Sequence, residues 1–133
     1  MADQRDSAGE CAGSIGEQAE QELAPERVGE LAAGGEAMLI DVREDYEWEA
    51  GRIAGARHVE VNRLTAEADS IPKDRPVVFY CRGGGRSGMA AQAFREGGWD
   101  ARNMAGGVTA WVAAGLELEP EDGAVAEPRP PGA

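Results

Sequence analysis

One cysteine in this chain stands where a thiol could react. It closes the run Val77-Val78-Phe79-Tyr80-Cys81, and Arg82, Gly83, Gly84, Gly85, Arg86 and Ser87 follow it. A short β-branched and aromatic run, led by Pro76 and closed by glycine, reads as a buried strand. Met89, Ala90, Ala93 and Phe94 then fall at helical spacing, which predicts a helix beginning at or just after Arg86. Cys81 is thereby placed in a strand-to-helix loop. The first amides of a helix have no intrahelical partner, and the helix dipole puts partial positive charge at that end. Glycines let the backbone turn successive N–H groups inward as an anion-binding nest, and Arg82 and Arg86 add full positive charge. A thiol so surrounded ionises below its ordinary value of about 8.5, and the thiolate is the nucleophile. The same cradle would hold an anionic substrate. Taken alone, a cysteine ending a buried strand is equally a small hydrophobe, and a glycine-rich turn is equally just a turn. Two arginines and a helix start around one thiol are what packing does not explain.

The elements that must position this loop follow from the same patterns. Glu22-Leu23-Ala24 reads as a short extended piece. Pro25 then stands in a first helical turn, where its missing N–H costs nothing, and Val28, Leu31 and Ala32 form an apolar stripe ended by Gly34-Gly35. Met38-Leu39-Ile40-Asp41-Val42 has the near-continuous apolar pattern of a strand covered on both faces. Asp41 and Arg43 at its carboxyl end read as a local ion pair that fixes the turn. Glu44 to Ala50 suits a short helix, with Tyr46 and Trp48 available for packing and Gly51 as its stop. Ala56 to Val59 is a strand candidate, and Leu64 lies in a weak helical segment. The helix after Cys81 ends at Gly97-Gly98, Trp99 to Met104 gives one more strand, and Val108, Ala110, Trp111 and Val112 belong to a last helix closed by Gly115. Strands alternating with helices predict an α/β domain around a parallel sheet with helices on both faces, and such sheets bind ligands at the carboxyl ends of their strands.

Length and composition bound the rest. In 133 residues there is room for one domain of ordinary size, which we place at 22–118. Residues 1–21 have scarcely any large apolar side chain, and residues 119–133 return to Glu, Pro, Gly and Ala, so both ends read as disordered tails. A formal net charge of −12 argues against nucleic acid or an anionic membrane surface as partner, since either would repel most of the protein. No stretch is apolar enough to cross a bilayer and no apolar run follows a basic amino terminus, so a cytoplasmic location is the default. Lys73 is the lone lysine, a bias that codon usage in a GC-rich genome explains without invoking function. Two cysteines far apart and one histidine are too few for a zinc site, so no metal and no cofactor is expected. The same shortage leaves thiol activation to amides and arginines. His58 reads as a plain surface or strand-end residue, and Cys11 as an exposed bystander, with a resolving role towards an oxidised or persulfidated Cys81 as the lesser reading.

Four segments together resemble a single-domain rhodanese: Asp41-Val-Arg43; Glu47-Trp48 with Gly51-Arg-Ile53-Ala-Gly55-Ala56; Cys81-Arg82-Gly-Gly-Gly-Arg86-Ser87; and Asn103-Met-Ala-Gly106-Gly107 with Trp111 and Gly115. The resemblance runs from about Glu22 to Leu118, and four motifs in the family's order are far more specific than any one. It implies a rhodanese-like five-stranded parallel sheet flanked by helices. It also implies a thiosulfate sulfurtransferase in which Cys81 accepts a sulfane sulfur and passes it on from a persulfide. The expected partners are a small anionic sulfur donor and a thiol or sulfur-accepting protein, with the chain a monomer or homodimer. Arg82 to Ser87 would bind the donor, and on the family pattern Asp41, Arg43 and Glu47 brace neighbouring loops.

Two rivals are weighed by single features. Phosphatases of related architecture resemble Cys, five residues, then Arg, whereas four residues separate Cys81 from Arg86; the tighter ring suits sulfur transfer over phosphate or arsenate chemistry. Rhodanese-like domains also serve as non-enzymatic carrier or binding modules, usually when the cysteine is absent, and here it is present. One departure stands out: where the family usually shows Gly-His-Ile, this chain has Gly51-Arg52-Ile53.

Overall fold

A computed structural model describes residues 21–120 and 123–127. The elements run β1 (Glu22–Leu23), α1 (Pro25–Ala33), β2 (Met38–Asp41), α2 (Asp45–Ala50), β3 (Arg57–His58), α3 (Leu64–Glu67) between two 3-10 turns, β4 (Val77–Tyr80), α4 (Gly85–Glu96), β5 (Ala101–Met104) and α5 (Gly107–Ala113). The five strands form one sheet in the order β1-β5-β4-β2-β3, and every pair in it is parallel. The α/β architecture with a five-stranded parallel sheet is the one expected.

Side-chain alternation along β4 decides what each face holds. Val77, Phe79 and Cys81 pack with Ala90, Ala91 and Phe94 of α4 and with Leu64 and Ile71. Val78 and Tyr80 point the other way, into a layer with Val28 and Leu31 of α1 and Val108 and Trp111 of α5. The period of two thus delivers Cys81 to the α4 side of the sheet.

The connections choose where the site lies. From β4 the chain crosses to β5 on one side, and from β2 it crosses to β3 on the other, so the crossovers diverge between the adjacent strands β4 and β2. A crevice opens at the carboxyl ends of two such strands. Those ends carry Cys81 and the Asp41–Arg43 turn.

Three details differ from the sequence reading. In α4 the buried stripe is Ser87, Ala90, Ala91 and Phe94, while Met89 is 75% exposed and Ala93 is also exposed. Ser87 faces the cysteine sulfur, and the i+3, i+4 and i+7 positions follow it inward. In α2 the buried residue is Glu47; Tyr46 and Trp48 are only half-buried. Finally, the chain after Leu118 does not leave the domain at once. Arg52 and Glu119 form an antiparallel bridge, Ala124 N–H donates to Ala50 O at 2.8 Å, and Val125 packs against the α1/α5 layer. A Cβ at Gly51 would stand 2.6 Å from Ala124 O, so the missing side chain is what admits this segment. The tail expected over 1–21, with Cys11, lies outside the described residues apart from Gln21, as do 121–122 and 128–133.

Candidate active site

The loop from Cys81 to Ser87 takes its shape from Gly84. Its φ of +103° lies in the left-handed region, which side chains disfavour, and this residue is the N-cap of α4. The turn points the Gly84 N–H back at Cys81, 3.1 Å from Sγ. The Ser87 hydroxyl donates to the same sulfur at 3.3 Å. Gly83 and Gly85 are exposed, and nothing lies within 4 Å of where their Cβ atoms would stand.

A second helix start supports the loop from behind. The Val108 N–H donates to Cys81 O at 2.8 Å and the Thr109 N–H to Arg82 O at 3.1 Å. Gly107 has φ +63°, and a Cβ there would come within 2.5 Å of both carbonyl oxygens, so glycine is required for this approach. Asn103, named above only as part of a motif, Nδ2-donates to Gly84 O at 3.3 Å and to Glu22 Oε1 at 3.0 Å. Parallel pairing sets Glu22 beside Asn103 across β1 and β5, a register that the linear sequence does not display.

The thiol is 1% exposed. Burial opposes its ionisation and is the largest single influence, but the Ser87 hydroxyl, the Ser87 and Gly84 amides and the Arg86 charge together hold it below the ordinary thiol value. Hydrogen bonds to the charged form favour that form.

Arg86 is held by Glu47 through two hydrogen bonds, Nη1 to Oε1 at 3.0 Å and Nη2 to Oε2 at 3.2 Å. Glu47 Oε1 also accepts the Glu44 N–H at 3.1 Å, so the carboxylate that caps α2 is the one that fixes the cradle arginine. Burial pushes the Glu47 carboxyl up, yet the Arg86 and Glu44 hydrogen bonds and the nearby positive charges bring it below the usual range. The Glu47 hydrogen bond raises the Arg86 pKa in turn.

Asp41 and Arg43 pair with both side chains fully buried, Nη2 to Oδ2 at 2.7 Å. Arg43 Nη2 also donates to Gly51 O at 2.7 Å, tying the β2 turn to the end of α2. Arg82 takes a different direction from Arg86: its Nε donates to Ala126 O at 3.2 Å and its Nη2 lies 3.4 Å from Glu127 Oε1. His58 ends β3, with Nε2 2.7 Å from Arg43 O and its ring stacked on Trp48. Arg52 lies over the other ring system of that group, its guanidinium carbon 5.1 Å from the Trp48 centroid.

Among the described residues, no group of three or more His, Cys, Asp or Glu side chains could hold a metal ion, and no helix is long and apolar enough to cross a membrane. The Cys81 sulfur thus sits buried among an amide, a hydroxyl and the Arg86 charge, at the switch point of a parallel α/β sheet. Residues 24–114 match the model of the rhodanese-like domain, and the chain belongs to that family. It is 43% identical over 76 residues to the uncharacterized protein YqhL of Bacillus subtilis, covering 56% of this chain and 60% of that protein. It is 32% identical over 92 residues to the thiosulfate sulfurtransferase GlpE of Pseudomonas aeruginosa, covering 68% of this chain and 83% of that one. The fold is similar to the crystal structure of a rhodanese-related protein from Thermoplasma volcanium, at a TM-score of 0.69 and 21% identity over 74% of this chain and 96% of the other.

Proposed function

We propose that this protein is a sulfurtransferase that carries a sulfane sulfur on Cys81. The observation that bears most of the weight is the ring of donors on Sγ, with Gly84 N–H at 3.1 Å and the Ser87 hydroxyl at 3.3 Å. Such donors keep a buried thiol ionised, and the thiolate is the form that attacks sulfur. Thiosulfate is the proposed donor, in keeping with the likeness to a thiosulfate sulfurtransferase. The thiolate attacks the outer sulfur, the S–S bond of thiosulfate breaks, and its electron pair leaves with sulfite. The product is a Cys81 persulfide anion, whose terminal sulfur rests among the amides of residues 82–87. Cyanide in the assay, or a thiol or partner protein, then attacks that terminal sulfur and returns the Cys81 thiolate. Arg86 orients the donor, and Asp41, Arg43 and Glu47 brace the loops around it.

The test is intact mass and peptide mapping of reduced protein after incubation with thiosulfate, with Cys81→Ser alongside. One added sulfur is expected on the Cys81 peptide, removed by cyanide or dithiothreitol and absent from the variant. Folded, reduced protein that gains no sulfur would exclude thiosulfate as the donor.

A further inference from the structure

Of the two loop arginines, Arg82 is the one that donates to the segment beyond Leu118. Nε donates to Ala126 O at 3.2 Å and Nη2 lies 3.4 Å from Glu127 Oε1. Glu127 is not placed there by its own side chain, which is 86% exposed. The backbone places it: Ala124 N–H donates to Ala50 O at 2.8 Å, Gly123 N–H to Pro120 O at 2.7 Å, and the Tyr46 hydroxyl to Glu127 O at 3.3 Å. An exposed carboxylate is thus held by its backbone next to a cation that immediately follows Cys81 in sequence.

We propose that Glu127 is a specificity-determining residue: its carboxylate acts as an internal anion on Arg82, which an anionic sulfur donor must displace and an uncharged donor need not. This rests on the reading of Cys81 as the nucleophile of an anion-binding sulfur-transfer site. Removing the carboxylate frees Arg82 for anions in solution. An exposed ion pair of this kind is worth about a two- to fivefold change in anion capture at low salt, and less at high salt.

The experiment uses full-length, reduced protein and follows alkylation of the Cys81 peptide by iodoacetate, an anion, and by iodoacetamide, which is uncharged. Glu127→Gln is expected to speed the iodoacetate reaction about two- to fivefold and to leave the iodoacetamide reaction unchanged. Glu127→Lys should exceed it. The gain should vanish when Arg82→Gln is combined with Glu127→Gln, and the KM for thiosulfate should fall in Glu127→Gln with kcat unaltered. Equal changes with both reagents, or a gain that persists without Arg82, overturns the proposal. Alkylation requires no sulfur transfer, so the two readings fail separately. An unmoved reagent ratio in a protein that still takes up sulfur removes the role of Glu127 alone. A moved ratio in a protein that takes up none removes the sulfur donor and leaves the anion selectivity standing.

Discussion

Arg82 and Arg86 bracket the same three glycines, and nothing in their local sequence says which carboxylate either one meets. The fold does. Arg86 meets Glu47, whose side chain is 2% exposed and whose second task is to cap α2. Arg82 meets Glu127, on a segment laid over the surface. A buried carboxylate cannot turn to water, so its partner is held with it; an exposed one exchanges with solvent and with other anions. One arginine is therefore a fixed part of the cradle, and the other is available to whatever anion competes for it.

Substitutions along the gradient of burial test this contrast. Asp41→Asn marks its limit, because it leaves the fully buried Arg43 without its counter-charge. We expect a loss of about 3–5 kcal/mol in chemical denaturation; a loss near zero would show that burial does not fix these pairs. Glu47→Gln should cost about 1.5–3 kcal/mol, the range for a hydrogen bond to a charged group. Its pH dependence has a definite sign. The folded Glu47 carboxyl titrates below its usual value, so its stabilisation is fully present above the unfolded value of about 4.3 and disappears as the pH falls through the lower folded value. The difference between wild type and Glu47→Gln should accordingly close in acid and stay constant around neutrality.

Ser87→Ala comes next and acts on the thiol rather than on the fold. It removes a donor from Sγ, raising the depressed thiol pKa. Iodoacetamide alkylation of Cys81 at neutral pH should slow severalfold, with the rate–pH profile moved to higher pH; an unmoved profile would mean that the amides and the Arg86 charge hold the thiolate without the hydroxyl. The smallest effect belongs to Arg82→Gln, expected to change stability by less than about 1 kcal/mol because its partner is exposed. A loss as large as that of Glu47→Gln would erase the contrast between the two arginines.

Much of the site was legible because it is local. A β-branched run ending in Cys81, the glycines after it and a helical stripe beyond them are properties of consecutive residues, and they place the thiol between β4 and α4. The Asp41–Arg43 pair is legible for the same reason, its members being two residues apart. In α4 the reading held for Ala90 and Phe94 but took Met89 and Ala93 where Ser87 and Ala91 are buried, since spacing alone does not say which face meets the sheet. Ser87 settles that by facing the sulfur. Asn103 was visible within a motif, but its hold on Gly84 O depends on β1, β5 and β4 lying side by side. The carboxyl-terminal stretch misled on composition: Pro, Glu and Gly predict a tail, and only the bare backbone of Gly51 lets residues 123–127 lie against the domain.

The sequence by itself determined the position of Cys81, its loop and the alternation of strands and helices that supports them, because each is encoded within a few neighbouring residues. Only the tertiary structure decided which carboxylate each arginine meets. Arg86 and Glu47 are 39 residues apart in the chain and Arg82 and Glu127 are 45 apart, so strand order and packing bring them together rather than any local pattern.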